Sequence, residues 1–180
     1  MKHICIILLA WLSVNQAGGT LYACKNAKIT LYSKAPIEDI EATTITGVSV
    51  YNAANNELDF SININSFKFP KALMQEHFNS DYMESDKYPR ATFKGKINEK
   101  PDLSRDGSYP VTATGELSIH NVTQTRTIPG TLSVRGGVVS LSSEFMVKCA
   151  DHHIKIPRLV FHNIAESLKI TVSATYAATK

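Results

Sequence analysis

The chain has 180 residues, of which 43% are hydrophobic, and its 19 Lys and Arg against 16 Asp and Glu give a formal net charge of +3. This length suffices for one domain with a sizeable core. The basic residues are interspersed with acidic ones rather than clustered, which argues against a nucleic-acid partner.

The N-terminal segment has the features of a signal peptide. A short basic start precedes the apolar run Ile4–Val14, and small residues follow at Ala17 and Ala23, either of which could mark the cleavage site. The run is too short to cross the ~30 Å hydrocarbon core of a bilayer as a helix. We predict a signal peptide over residues 1–23, one barrel domain over residues 24–180, and a periplasmic or secreted protein.

Two cysteines follow the predicted signal peptide, Cys24 and Cys149. The sequence LYAC that ends at Cys24 resembles a lipobox, so a lipid anchor at Cys24 is an alternative to plain release, which we favour. A disulfide is not expected. In an up-and-down sheet, Cys24 before the first strand and Cys149 after the seventh would lie at opposite ends.

Alternating apolar and polar residues predict a chain of strands separated by turn residues. The alternation gives each strand one apolar face, as in an antiparallel sheet with one solvated side, and eight such strands can close into a barrel. We therefore predict an all-β fold, an eight-stranded antiparallel barrel. The predicted strands are Ala27–Ser33, Ile40–Tyr51, Glu57–Phe67, Arg90–Ile97, Tyr109–Ile119, Val122–Val134, Gly137–Lys148 and Leu168–Ala177.

A short helix is predicted between the third and fourth strands. Pro70 suits a first helical turn, and Leu73, Met74, His77 and Phe78 would share one apolar face, with His77 packed in it. The following Asn79 would end the helix in a left-handed conformation. An apolar helix inserted between two strands is expected to cover the open end of the barrel.

Three segments of the chain resemble the YceI-like family. They are KALMQEHFNSDYMESDKYPRATFKG (71–95) with the preceding SFKF, GELSIHNVTQTRTIPGTLSV (115–134) and DHHIKIPRLVFHNIAESLKITV (151–172). Asn121 departs from the glycine usual in the family, but it also tolerates a positive φ. The resemblance implies an exported bacterial protein with a lipocalin-like barrel that binds long polyisoprenoid lipids.

Whether the barrel is filled or hollow is open from the residues alone. Small predicted inward residues, Ala113, Gly115, Ser143 and Ala174, could leave room or could interdigitate with large ones. The family resemblance favours a cavity. The candidate ligand-binding residues are Phe60, Ile62, Ile64, Phe67, Phe69, Leu73, Met74, Phe78, Phe93, Leu117 and Phe145.

Signals for catalysis or metal binding are weak. No nucleophile elbow, phosphate-binding loop or zinc-protease motif occurs. His152, His153 and His162 lack a partner at ligand spacing and are expected in a loop at the barrel mouth. A group of basic residues beside the helix could meet an anionic headgroup, although solvated surface charge is the default reading. Its members are Lys68, Lys71, Lys87, Arg90 and Lys94.

The resemblance and the inward apolar residues lead to one functional hypothesis. It is non-catalytic binding, transport or storage of a long apolar lipid of the polyisoprenoid type, with an isoprenoid or quinone-like ligand and no other cofactor. About 20 buried carbons would contribute ~16 kcal/mol before ordering costs. The alternatives are a filled-barrel envelope protein that acts through protein contacts and, less favoured, an enzyme that modifies a lipid or quinone. A homodimer is left open.

Overall fold

The computed structural model describes residues 21–34, 39–156 and 166–179. Within these ranges, eight antiparallel strands form one closed barrel in chain order, with the last strand paired to the first. The predicted signal peptide up to residue 20 and His162 lie outside the described residues. The strands are β1 (Leu21–Ser33), β2 (Ile40–Asn52), β3 (Glu57–Asn63), β4 (Arg90–Ile97), β5 (Gly107–Ile119), β6 (Val122–Arg135), β7 (Val138–Lys148) and β8 (Ser167–Thr179).

The predicted eight-stranded antiparallel barrel with a helix between its third and fourth strands is confirmed. The predicted end of the third strand is wrong: β3 ends at Asn63 rather than continuing to Phe67. The Asn63 side chain accepts a hydrogen bond from the Asn65 N–H at 3.1 Å. This bond starts the 3-10 turn Ile64–Ser66, which takes the chain out of the sheet.

Strand β1 begins at Leu21, earlier than the predicted Ala27. Its first residues pair on both sides, because Tyr22 lies opposite Tyr51 of β2 and Ala178 of β8. The Tyr22 and Tyr51 rings stack with centroids 6.2 Å apart. The chain therefore completes the closing wall of the barrel with residues that the sequence analysis assigned to the signal peptide.

The segment between β3 and β4 contains helix α1 (Ala72–His77), followed by the π-helical turn Phe78–Tyr82. Asn79 lies inside that turn and does not end it, so the predicted stop is wrong; Glu84 has the left-handed conformation, with φ of 41°. All six residues of α1 are exposed or half-buried. The predicted apolar face and the packed His77 are wrong, since Leu73 is 62% exposed and His77 is exposed as well.

The barrel has two unlike ends. The lower end carries the first residues of β1 and the hairpin at Gly136–Gly137; the upper end carries the hairpin at His120–Asn121 and the segment with α1. Large side chains fill the lower end, where Tyr51, Leu132 and the neighbouring valines of β6 and β7 are almost inaccessible. The lower part of the interior is therefore an ordinary close-packed core.

A buried polar pair helps to define this lower core. Ser49 on β2 and Tyr176 on β8 share a 2.8 Å hydrogen bond. Burial raises the pKa of Tyr176 above the usual tyrosine range, so its hydroxyl stays protonated. Each hydroxyl satisfies the other in a place that water does not reach.

The two described cysteines lie at opposite ends, Cys24 low on β1 and Cys149 above β7. Both are buried and neither forms a disulfide, as predicted. Burial raises the pKa of the Cys149 thiol.

Replacing Ser49→Ala should cost about 1–3 kcal/mol of unfolding free energy, because the Tyr176 hydroxyl would be left buried without a partner. The double variant Ser49→Ala/Tyr176→Phe should cost less than the sum of the single changes. Urea unfolding at neutral pH measures the loss in each variant. The control is Thr175→Ala, which changes an exposed residue on the same strand as Tyr176. Additive losses would contradict the pairing.

The same tyrosine should make stability depend on pH in alkali. Because burial raises the Tyr176 pKa in the folded protein, its contribution is complete below the unfolded tyrosine pKa of ~10 and is lost as pH rises further. Unfolding free energy measured from neutral pH upward should fall above ~pH 10 in the wild type. The fall should be shallower for Tyr176→Phe, and equal slopes in the two proteins would show that Tyr176 is not responsible.

Candidate functional site

The upper part of the barrel encloses a cavity of about 150 Å³. Its lining is almost entirely apolar, and Thr92 and Ser143 contribute the hydroxyls. No charged side chain from the described residues lines it. The cavity therefore offers dispersion contacts and removal from water, and very few groups for polar recognition.

Strand alternation places the lining residues. Successive side chains in a strand point to opposite faces, so Phe60 and Ile62 of β3 and Val111 and Ala113 of β5 all face the barrel axis. The same alternation holds in β7, where Leu141, Ser143, Phe145 and Val147 line the cavity. The walls of the site are thus a direct consequence of the period-two sequence pattern.

Most of the candidate ligand-binding residues lie at this cavity. Those in its lining are Phe60, Ile62, Ile64, Phe67, Phe78, Phe93, Leu117 and Phe145. The others are elsewhere: Leu73 and Met74 lie on α1, and Phe69 packs against Phe78 with ring centroids 4.9 Å apart. Ligand contact by any of them remains a prediction.

Residues on either side of α1, rather than the helix itself, cover the cavity from above. Phe67 meets Phe78 edge-on with centroids 5.8 Å apart, and both line the cavity with Met83. The Met83 N–H donates to the Phe78 carbonyl at 3.0 Å, a five-residue spacing that turns both side chains inward. The sequence analysis missed Met83 because it ended the helix at Asn79 and did not expect the turn Phe78–Tyr82 that follows α1.

The small residues of the interior have different roles. Ala113 and Ser143 line the cavity, whereas Ala174 lies in the filled lower end. Gly115 does not leave room, which corrects the prediction. A Cβ there would lie 2.4 Å from the Cα of Gly95 on β4, so this glycine allows two strands to approach closely.

The cavity volume limits what the barrel can hold in this conformation. It is smaller than the ~300–1,000 Å³ of usual ligand pockets and comparable to an apolar cavity that holds benzene. About six carbons at ~0.8 kcal/mol each would contribute ~5 kcal/mol, near the lower bound of association costs. The expected burial of about 20 carbons therefore requires lining side chains or the cover to move.

The basic residues predicted beside the helix do not reach the cavity. Lys68, Lys71, Lys87, Arg90 and Lys94 are all exposed. The Lys87 ammonium lies 3.9 Å from the Glu84 carboxylate and 4.8 Å from the centre of the Tyr88 ring. Their suggested headgroup role therefore gains no geometric support.

His120 joins three segments at the rim of the upper end. One ring nitrogen lies 3.0 Å from the Glu84 carboxylate and the other 3.3 Å from the His152 carbonyl. The ring also meets Tyr88 edge-on at 4.4 Å. Each ring nitrogen of His120 faces a hydrogen-bond acceptor. The two hydrogen bonds can therefore form at the same time only when both nitrogens carry hydrogen. His120 lies in the turn between β5 and β6, and the sequence analysis did not identify it as a contact residue.

The other histidines of the rim differ in exposure. His152 is fully buried, and its Nδ1 donates to the Val122 carbonyl at 3.0 Å, whereas His153 is exposed with a left-handed backbone. In the part of the chain described here, no cluster of three or more His, Cys, Asp or Glu could hold a metal ion. None of the helices among these residues is long and apolar enough to cross a bilayer.

Several solved structures share this fold. Burkholderia cenocepacia BcnA superposes with a TM-score of 0.70 at 17% identity, covering 83% of this chain and 95% of that one. A polyisoprenoid binding domain from Saccharophagus degradans, implicated in plant cell wall breakdown, gives 0.75 at 12% identity, covering 89% and 99%. The Campylobacter jejuni YceI protein gives 0.62 at 19% identity, covering 82% and 89%.

Sequence comparison gives the family. Comparison with curated proteins found no significant match. The sequence profile of the YceI-like domain matches residues 23–176, which include nearly the whole barrel. This chain therefore belongs to the YceI-like family.

Proposed function

We propose that this protein binds a long apolar lipid of the polyisoprenoid type, without catalysis, after export to the periplasm. The observation that carries the proposal is the apolar cavity in the upper barrel, which has no charged residue in its described lining. Family membership and the Saccharophagus degradans polyisoprenoid binding domain of the same fold support the choice of ligand.

Binding would begin with one end of the chain in the existing cavity. Because that cavity holds only about six carbons, further chain enters as Phe78, Met83 and other cover residues move aside. Methionine and edge-on aromatic contacts adapt to such movement at low cost. Most of the free energy comes from removing hydrocarbon from water, so the cavity selects the hydrocarbon chain of the ligand by its length and shape.

The chemistry of the lining favours binding over catalysis. The Cys149 thiol lies at the cavity, and burial raises its pKa, which leaves it protonated and a weak nucleophile. Among the described lining residues, no base accompanies the hydroxyls of Thr92 and Ser143. A filled-barrel protein acting through its outer surface is the main rival, and it predicts that changes to the interior lower stability without affecting the binding of any ligand.

Filling the cavity tests the proposal. Ala113→Leu adds carbons to empty space and should leave the unfolding free energy within ~1 kcal/mol of wild type, while weakening binding of a long isoprenoid alcohol about tenfold or more. The matched control is Ala174→Leu in the filled lower end, which should cost ~1–3 kcal/mol by overpacking. Fluorescence displacement measures affinity, and urea unfolding measures stability. Unchanged isoprenoid affinity in a folded Ala113→Leu protein would contradict the proposal.

We also propose that the mature protein starts upstream of Leu21, with cleavage after Ala17 rather than Ala23. Residues 21–23 pair with both β2 and β8, and the Cys24 side chain is 2% exposed within the core. Loss of these residues would open the wall beside Tyr51. Acylation of Cys24 would in addition require its thiol to leave the core.

The intact mass of the protein purified from its host's periplasm tests this processing. The expected mass corresponds to a chain that retains Leu21–Ala23 and carries an unmodified Cys24. A mass that begins at Cys24 with added acyl chains would instead establish a lipid anchor.

A further inference from the structure

Among the described residues, the β6–β7 ladder covers only the lower part of the barrel wall. Their ladder runs from Arg135↔Val138 at the lower end to Thr131↔Ser142 and stops there. Above that point β6 stays paired with β5 up to Val122, and β7 stays paired with β8 up to Lys148. The upper halves of β6 and β7 thus form a seam, defined here as residues 122–130 facing residues 143–148.

The sequence explains where the seam begins. The backbone N–H and carbonyl of Thr112 on β5 point toward β4. The N–H donates to the Glu99 carboxylate, and the carbonyl accepts from the Asn98 N–H. Pro129 of β6 is paired with Thr112, and the backbone groups of Thr112 point away from β6. The backbone of Pro129 therefore points to the other side, toward β7. Proline has no N–H to donate, so the ladder loses a donor at this position. The Ser143 hydroxyl donates instead to the Pro129 carbonyl at 2.6 Å.

The seam leads into the cavity. Ile128 and Gly130 on one side, and Ser143 and Phe145 on the other, all line the cavity and are half-buried. Inward residues lower on the same strands, such as Leu132, are almost inaccessible. The missing ladder thus lies beside cavity-lining residues that are only half-buried.

Side chains close the upper part of the seam in place of backbone bonds. The Arg126 guanidinium donates to the Met146 carbonyl at 2.9 Å and lies 4.0 Å from the Asp151 carboxylate. The Gln124 amide donates to the Asp151 carbonyl at 3.0 Å. The Arg126 side chain is 29% exposed, and its fork has more donors than these contacts use. Arg126 therefore lies beside the seam and has N–H donors that these contacts do not use.

We propose that the β6–β7 seam is a lateral portal, through which the chain of a lipid reaches the cavity, and that Arg126 donates to the oxygen atoms of its head. This inference rests on the proposed function and adds a route and a polar subsite to it. The ligand class is a single-chain amphiphile with an oxygen-bearing head, either an alcohol or a phosphate ester. Arg126 suits both, because a guanidinium forks onto phosphate and also donates to a hydroxyl oxygen.

The unpaired edges of β6 and β7 could instead pair with a strand from another protein. Two features of the seam oppose it. Pro129 interrupts the edge of β6, and the Arg126 side chain crosses to β7 where an added strand would lie. The opening into apolar space favours a hydrocarbon chain.

A reversible lock tests the portal. A Cβ on Gly130 would lie 3.6 Å from that of Ser143, which fits a disulfide, although a small shift from the Ser142 carbonyl at 2.9 Å is needed. Oxidised Gly130→Cys/Ser143→Cys should take up a fluorescent polyene alcohol about tenfold more slowly than the same protein after reduction. The control is Thr30→Cys/Thr43→Cys on the paired β1–β2 wall, where the two hydroxyls are 3.0 Å apart and locking should change uptake less than about twofold.

Equal uptake by the oxidised and reduced seam variant would overturn the portal. If the wild type takes up no probe at all, the proposed function fails with it. If the wild type and the locked protein take it up equally, entry is elsewhere and the binding function stands. Capture of an added strand-forming peptide by the wild type, with exclusion of the polyene, would establish strand addition instead.

Arg126→Met tests the head subsite, since methionine keeps much of the length and removes the donors. Affinity for geranylgeraniol or geranylgeranyl phosphate should fall about tenfold, while affinity for the saturated hydrocarbon of the same length should stay unchanged. Whichever of geranylgeraniol and geranylgeranyl phosphate loses more affinity shows whether the subsite prefers an alcohol or a phosphate ester. The control is Arg105→Met, an 82% exposed arginine at the other end. Equal losses of affinity for all three probes, or no loss for any of them, would show that Arg126 does not recognise the head.

Discussion

A closed eight-stranded barrel brings the inward side chains of every strand to one axis, so the sizes of those side chains decide whether the interior is filled. Here they divide the barrel in two. Tyr51, Leu132 and the Ser49–Tyr176 pair occupy the lower end completely. Toward the upper end the inward set leaves about 150 Å³ empty, and the proposed ligand site, its cover and the proposed entrance all depend on this uneven filling.

The cover over the empty half is built from local backbone chemistry. Asn63 ends β3 early through its own side chain, and the π-helical turn after α1 rotates Phe78 and Met83 inward. His120 ties the next hairpin to the same region. These are side-chain and turn contacts rather than sheet ladders, so the upper end is the part of the molecule that can move without breaking the barrel.

The sequence predicted what depends on period-two alternation: the eight strands, the limits of β4 and part of the cavity lining, including Phe60, Phe93 and Phe145. It failed where a single residue redirects the backbone. Asn63 ended a strand, and the turn Phe78–Tyr82 took the place of the predicted helix stop at Asn79. Leu73 on α1 is exposed rather than on a buried helical face. Arg126 had no signal, because a charged residue at an inward position makes sense only once the missing β6–β7 ladder is known.

Native mass spectrometry of the protein purified from its host's periplasm, followed by organic extraction, tests the central claim most directly. Lipid binding predicts a discrete adduct whose extract contains a lipid with repeating isoprene units. A bare mass, together with failure to take up added long isoprenoids, would contradict the account and place the function on the outer surface of the barrel.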